Sequence, residues 1–186
     1  MESRVYLRIL ELKDVDRVYQ WQNDQELYQS LIGSHHFVSR ATVSEWLEKK
    51  SAFSNTEINL AICLKNNSEH IGNIYVREID WINRNATIGL LIGDANHRGK
   101  GYGKEAVSLV VEYVFTTMGL NRIYGYLYEH NKASFKTFQA VGFVEEGKLR
   151  KHVFQNGKFH DILFVGVCRD DWEKLQGKES FNKTND

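Results

Sequence analysis

The stretch from Ala86 to Tyr128 constrains this chain most. An apolar run, "ATIGLLIGD", leads into the glycine-rich "HRGKGYGKE", then "AVSLVVEYVFTTMG", then "RIYGYLY". Ala106, Val107, Val110, Val114 and Phe115 fall along one helical face, so the third piece is a helix with one buried stripe. Two strands flanking such a helix lie parallel, joined by a crossover over one face of a sheet. The rest of the chain must accommodate that unit.

The remaining segments predict mostly antiparallel neighbours. "RVYLRIL" reads as a strand, "DVDRVYQWQND" as a helix, and "TVSEWLEKK" as a second helix with Thr42 and Glu45 in a capping-box pattern. "EINLAICL", "HIGNIYVREI" and "ATIGLLIGD" form a meander of short-looped strands. After "RIYGYLY" comes the helix "KASFKTFQAVG", stopped at Gly142, and two strands around "QNGK", where Asn156-Gly157 is a type I′ hairpin signal. The expected fold is α/β in the α+β sense: a mixed, mostly antiparallel sheet of about seven strands flanked by about four helices.

A length of 186 residues with 42% hydrophobic and 26% charged side chains suits one water-soluble domain, read as residues 1–175. The polar "QGKESFNKTND", residues 176–186, is expected to be a disordered tail. Lys plus Arg number 24 and Asp plus Glu 24, without the basic excess of a nucleic-acid binder. No apolar run is long enough to span a membrane, and "MESRVYLRIL" lacks the order of a secretory signal, so a cytoplasmic protein is expected. Cys63 and Cys168 sit in separate apolar runs and read as core residues. His35 and His36 have no partner at metal-ligand spacing; they read as a surface loop, and no metal is expected.

A loop that leaves a strand and opens a helix exposes backbone N–H groups at the positive end of the helix dipole. Gly99, Gly101 and Gly103 permit positive φ and close approach of an anion, while Arg98, Lys100 and Lys104 add charge. The spacing fits neither a Walker loop nor the dinucleotide fingerprint. Arg98-Gly99-Lys100-Gly101-Tyr102-Gly103 instead resembles the R/Q-x-x-G-x-G/A pyrophosphate loop of the GNAT acyl-CoA N-acetyltransferases. "NKASFKTFQAVGF" is similar to that family's N-x-x-A/S segment, and "EEGKLRKHVFQNGKFHDILF" to the closing hairpin of the branch holding ribosomal-protein N-terminal, polyamine and amino-sugar acetyltransferases. The resemblance covers roughly residues 3 to 172.

The resemblance implies a GNAT-like fold, acetyl-CoA as acyl donor, and a primary-amine acceptor. It places the cofactor against the 98–104 loop, including Tyr102, and against backbone groups of Leu91, Ile92 and Gly93, with Asn131 contacting the pantetheine arm. Many members carry a tyrosine proton donor seven residues after that asparagine; here the position is Phe138, so Ser134 and Tyr128 are the candidate substitutes. Period-two reading of "IGNIYVREID" sets Asn73, Tyr75 and Arg77, with Thr87 on the next strand, on the substrate side, and leaves Glu78 at the strand end as a candidate base. The favoured acceptor is a ribosomal-protein N-terminus (alanine or serine). The alternatives are a nucleotide-linked amino sugar, a polyamine such as spermidine, or a non-catalytic acyl-CoA-binding module. "ELYQSLIGSHHFVSR" is read as shaping the substrate mouth or a subunit contact, such as that of a homodimer.

Overall fold

The computed structural model describes residues 2–33 and 36–183. Seven strands form one sheet in the order β1-β2-β3-β4-β5-β7-β6. β1 (Val5–Ile9), β2 (Ile58–Leu64), β3 (His70–Asp80) and β4 (Asn85–Ile92) run antiparallel in sequence order. β5 (Arg122–Tyr128) pairs parallel with β4, and β7 (Lys158–Cys168) lies between β5 and β6 (Val144–Gln155). The single parallel pair is the one the strand–loop–helix–strand stretch demands. At the hairpin tip Asn156 and Gly157 both take positive φ, 52° and 77°, as a type I′ turn requires.

α4 (Tyr102–Thr116) is the crossover helix. Its Ala106, Val107, Val110, Val111, Val114 and Phe115 are at most 1% exposed and pack on Ile74, Val76, Ile88 and Ile123 of the sheet. Burial of each larger aliphatic or aromatic chain contributes about 1.5–3 kcal/mol. α5 (Lys132–Gln139) delivers Phe138 to the same core, where its ring meets Phe143 edge to face at 5.0 Å. The opposite face of β1–β3 is covered by α1 (Val15–Gln22) and α3 (Arg40–Ser51), which enclose Leu10, Val18, Val43, Leu47, Ala61 and Cys63.

Six α-helices are present among the described residues, two more than expected. α2 (Gln25–Tyr28) is a single turn capped by the Asp24 side chain. α6 (Arg169–Lys183) runs into the segment read as a polar tail, and residues 184–186 lie outside the described residues. Its first turns are anchored where Trp172 meets Phe115 at 5.6 Å and Leu175 covers Gly142, contacts that local polarity does not reveal. The cap of α3 is Ser39, whose hydroxyl accepts from Thr42 N–H, and Glu45 instead pairs with Lys49 one turn on. Cys63 and Cys168 are free thiols, the first fully buried. His36 is exposed, and His35 lies outside the described residues.

Candidate active site

The site follows from how β4 and β5 part. Their pairing ends at Thr87 with Tyr124, yet β4 runs on to Ile92 and β5 to Tyr128, so a gap opens between them. A cavity of about 340 Å³ occupies it, floored by Ile88, Gly89, Leu90 and Leu91 and walled by Tyr126, Leu127 and Tyr128. Asn73, Tyr75 and Arg77 from β3 line it, as do Asn131, Ser134 and Phe138 from α5. Residues that motif reading passed over complete it: Trp21, Tyr28, Trp46, Ser30, Leu31 and Ile32. Of these, Tyr28 to Ile32 belong to the irregular segment read as a substrate mouth or subunit contact.

Backbone direction corrects which groups of β4 face the gap. A β-carbon on Gly72 would collide with the Leu91 carbonyl, so Leu91 points its peptide toward β3. The Ile88 carbonyl instead lies 3.0 Å from where Gly125 would carry a β-carbon, on the β5 side. Alternation along a strand then turns the peptides of Ile88, Leu90 and Ile92 toward the gap. The Ile92 and Gly93 carbonyls accept from Arg98 Nε at 3.0 Å and Nη2 at 2.8 Å, and Gly93 N–H donates to Ile71 O. The Leu90 N–H and carbonyl and the Ile92 N–H therefore face the gap, while the Ile92 and Gly93 carbonyls are taken by Arg98. Arg98 thereby ties the loop to the end of the strand through Nε and Nη2 while keeping its positive charge beside the loop.

The rest of the loop matches an anion cradle. Gly99 and Gly101 have φ of 72° and 87°, and the first intrahelical bond of α4 runs from Glu105 N–H to Gly101 O. Tyr102, Gly103 and Lys104 thus have N–H groups ahead of that bond, without helical acceptors. Lys100 and Lys104 are exposed beside them. The one acid of this first turn, Glu105, is matched by Arg4, which donates from Nε at 2.7 Å and also hydrogen-bonds the Lys100 carbonyl. Burial raises the Glu105 pKa, but the Arg4 bonds outweigh it and hold the carboxyl below its usual value. A phosphate-bearing acyl carrier fits this end of the gap.

Asn131 caps α5, accepting from Ser134 N–H at 3.0 Å, and its Nδ2 donates to Ser30 O at 3.1 Å. It therefore joins α5 to the mouth segment. Tyr128 is 1% exposed, and its hydroxyl has no hydrogen-bond partner among the described residues. Burial raises its pKa, so the phenol keeps its proton. The ring is stacked on His130 at 4.9 Å and met edge-on by His160 at 5.3 Å.

Two of the expected catalytic and substrate residues stand outside the cavity lining. Glu78 takes φ of 52° in a bulge where the β3–β4 register shifts between Arg77 and Asp80, which breaks the period-two alternation. It is exposed, its charge acts on Tyr124, and it is not among the residues lining the cleft. Thr87 donates to Arg77 O at the closed end of the gap. Glu69, Asp94 and His97 cluster near the end of β4, but Arg17 already fills that cluster, 3.2 Å from Glu69 and 3.4 Å from Asp94.

Comparison with known proteins agrees with this geometry. A family model described as the acetyltransferase (GNAT) domain matches residues 4–144. Spermidine N(1)-acetyltransferase of Vibrio cholerae is 29% identical over 170 residues, covering 87% of this chain and 91% of that protein. YdaF of Bacillus subtilis, provisionally a ribosomal N-acetyltransferase, is 27% identical over 180 residues, covering 93% and 96%. The crystal structure of a Vibrio cholerae spermidine N-acetyltransferase in complex with CoA and spermine shares the fold, with a TM-score of 0.84 at 24% identity over 92% of this chain and 99% of that one. With the family model spanning most of its length, this chain belongs to the GNAT family of N-acetyltransferases.

Proposed function

We propose that the protein transfers the acetyl group of acetyl-CoA to the primary amine of a small molecule. The observation that carries this is the gap between β4 and β5, which runs from the unsatisfied first turn of α4 to an aromatic-lined pocket. Acetyl-CoA, when bound, supplies an activated acyl thioester. The N–H groups of Tyr102, Gly103 and Lys104, with the Lys100 and Lys104 ammonium groups, hold its phosphates. The gap-facing peptide of Leu90 orients the arm and polarises the acyl carbonyl.

Tyr128 then holds the proton for the departing sulfur. Its buried phenol stays protonated and carries a hydrogen with no competing acceptor, while Ser134 and Asn131 line the same wall. Among the described residues, Arg77 is the one charged side chain on the lining. A cation and apolar walls both favour the neutral, nucleophilic form of an arriving amine, so no dedicated base is required.

The spermidine-acetylating relative supports a small amine over the ribosomal N-terminus ranked first from sequence, and the 340 Å³ cavity is of small-molecule size. One observation favours a second reading. Among the described residues the lining carries no carboxylate to neutralise a polycation, and Arg77 instead suits an amine that also bears an anion, such as a nucleotide-linked amino sugar.

Release of free CoA thiol from acetyl-CoA, measured with spermidine, a nucleotide-linked amino sugar and Ser- or Ala-started peptides, tests both. Turnover with spermidine supports the first reading and turnover with the amino sugar the second. Turnover with peptides alone restores the ribosomal reading. Tight acetyl-CoA binding with no amine-dependent release refutes catalysis and leaves a binding module.

A further inference from the structure

Asn23 closes a loop beside the cleft. Its Nδ2 donates to Val38 O at 3.2 Å and its Oδ1 accepts from Val38 N–H at 3.2 Å, so the chain leaves α1 and returns to the start of α3 at one point. Both helices lie over β1–β3. Beyond that base, α2 and the turn after it keep bonds of their own, from Tyr28 N–H to Asp24 O, Gln29 N–H to Glu26 O, Ser30 N–H to Leu27 O and Leu31 N–H to Tyr28 O. Tyr28, Ser30, Leu31 and Ile32 then line the cavity alongside Trp46 and Tyr75.

Two side-chain amides from the other half of the sheet hold this loop. Asn131, at the start of α5, donates to Ser30 O at 3.1 Å. Gln155, the last residue of β6, turns its Nε2 toward three carbonyls, Tyr28 O at 3.1 Å, Gly33 O at 3.4 Å and Leu31 O at 3.5 Å. An amide nitrogen carries two hydrogens, so the three oxygens share them, with Tyr28 O the best placed. Without a donor between them, three carbonyl dipoles converge on one point with nothing to offset their repulsion. The main chain of Gln155 is fixed independently of its amide. It pairs with Lys158 across the hairpin, and its carbonyl accepts from His160 Nε2, whose ring also meets Tyr128 edge-on.

We infer that Gln155 is a positioning residue for acceptor binding: its amide anchors the 28–33 loop across the opening between β4 and β5, and so sets the wall against which the amine is held. The loop is rooted over β1–β3 and anchored on β6, and the sheet parts between those two halves. It therefore crosses the gap rather than flanking it. It does so on the face covered by α1 and α3, where Trp46 and Tyr75 pack, whereas the anion loop opens α4 on the opposite face. The acceptor end of the cleft, not the phosphate end, depends on the anchor. A wall ordered before the amine arrives spares binding the entropy of ordering it. The inference rests on the acetyl-transfer reading above and adds a residue off the cavity lining that fixes its acceptor end.

Gln155→Met keeps the length of the side chain and removes the donor, and Gln155→Glu sets a carboxylate against the three carbonyls. Lys158→Ala, at the hairpin partner of Gln155, is the control. In the protein without ligands, hydrogen exchange of the amides of residues 28–31 should speed about tenfold in Gln155→Met and further in Gln155→Glu, while those of β7 exchange as in the wild type. With the amine that turns over best, KM for amine should rise about tenfold in Gln155→Met, the loss of one or two hydrogen bonds, with kcat and acetyl-CoA affinity within about twofold of wild type. Lys158→Ala should match the wild type in every measurement. Unchanged exchange at 28–31 or unchanged KM in Gln155→Met, a loss that falls on kcat or on acetyl-CoA affinity instead, or the same effects in Lys158→Ala each overturn the inference. If the wild-type protein releases no CoA with any amine, the acetyl-transfer reading fails by itself. The anchor is then judged by exchange alone, where faster exchange at 28–31 in Gln155→Met upholds it and unchanged exchange overturns it.

Discussion

Replacing Asp14 by Ala should cost this protein more stability than any exposed ion pair could. The Asp14 side chain is 4% exposed and accepts two hydrogens from Arg8 and one from Glu11 N–H. Removing one partner of a buried pair costs about 3–5 kcal/mol, because the other charge is left uncompensated. Arg8 is 21% exposed and can recover part of its hydration, which brings the expected loss to about 2–4 kcal/mol. For a chain of this length each kcal/mol shifts Tm by about 2–4 °C, so Tm should fall by about 4–16 °C.

The pH dependence carries the sign. Burial raises the Asp14 pKa, but the Arg8, His70 and Glu11 hydrogen bonds outweigh it and hold the carboxyl well below the usual range. A carboxyl depressed in the folded state stabilises above its unfolded pKa of about 3.9, and that stability is lost as the pH falls toward the folded value. Far-UV circular dichroism melts of the wild type and Asp14→Ala should therefore differ fully at pH 7 and converge below about pH 4. Lys49→Ala, which removes an ion pair with both partners about 70% exposed, is the control, expected within about 0.5 kcal/mol of wild type. A Tm difference under 2 °C at pH 7, or one that persists undiminished in acid, refutes the argument.

Three further outcomes are expected. Gly93→Ala would drive a β-carbon into the Trp21 ring and should lose about 1–3 kcal/mol in urea unfolding, in contrast to Gly119→Ala, which meets nothing within 4 Å and is charged only for its positive φ. Gly101→Ala, at φ of 87° and 3.2 Å from Arg4, should cost about 1–2 kcal/mol of backbone strain and weaken acetyl-CoA binding by calorimetry. Tyr128→Phe removes a buried hydroxyl that has no partner among the described residues, so Tm should hold or rise, while the turnover rate falls at least a hundredfold if that hydroxyl is the proton source.

How much was legible in the sequence depended on range. The α4 stripe, the parallel β4–β5 pair and the Asn156-Gly157 turn are written in neighbouring residues, and the structure has all three. Asn73, Tyr75, Arg77, Tyr128, Asn131, Ser134 and Phe138 reached the cleft for the same reason, since strand alternation and helix starts are local. Glu78 did not, because a positive φ at a glutamate is imposed by the β3–β4 bulge and leaves no mark in the chain. The bonds of Arg98 to the Ile92 and Gly93 carbonyls could not be read from the basic loop, because which carbonyls lie within its reach is decided by where β4 ends. The Asp14–His70 contact joins the start of α1 to β3 across the sheet, and no spacing in the sequence announces such a pair.

Phe138 bears on where a proton donor could sit in this fold. Its ring is sealed against Phe143 in the core, so the helix contributes packing rather than a proton at that position. The cleft wall it belongs to also contains Tyr128, brought in by β5 and fixed by the stacked His130 and the edge of His160. A phenol with no other acceptor, held neutral by burial, meets what a departing thiolate needs: a nearby hydrogen that costs no existing bond to give. Because β5 and α5 are joined by only the Glu129–Asn131 turn, both elements address the same point of the gap. A proton donor on the strand in place of one on the helix would then require no change in the sheet, in the anion loop of α4, or in the acceptor side built on β3.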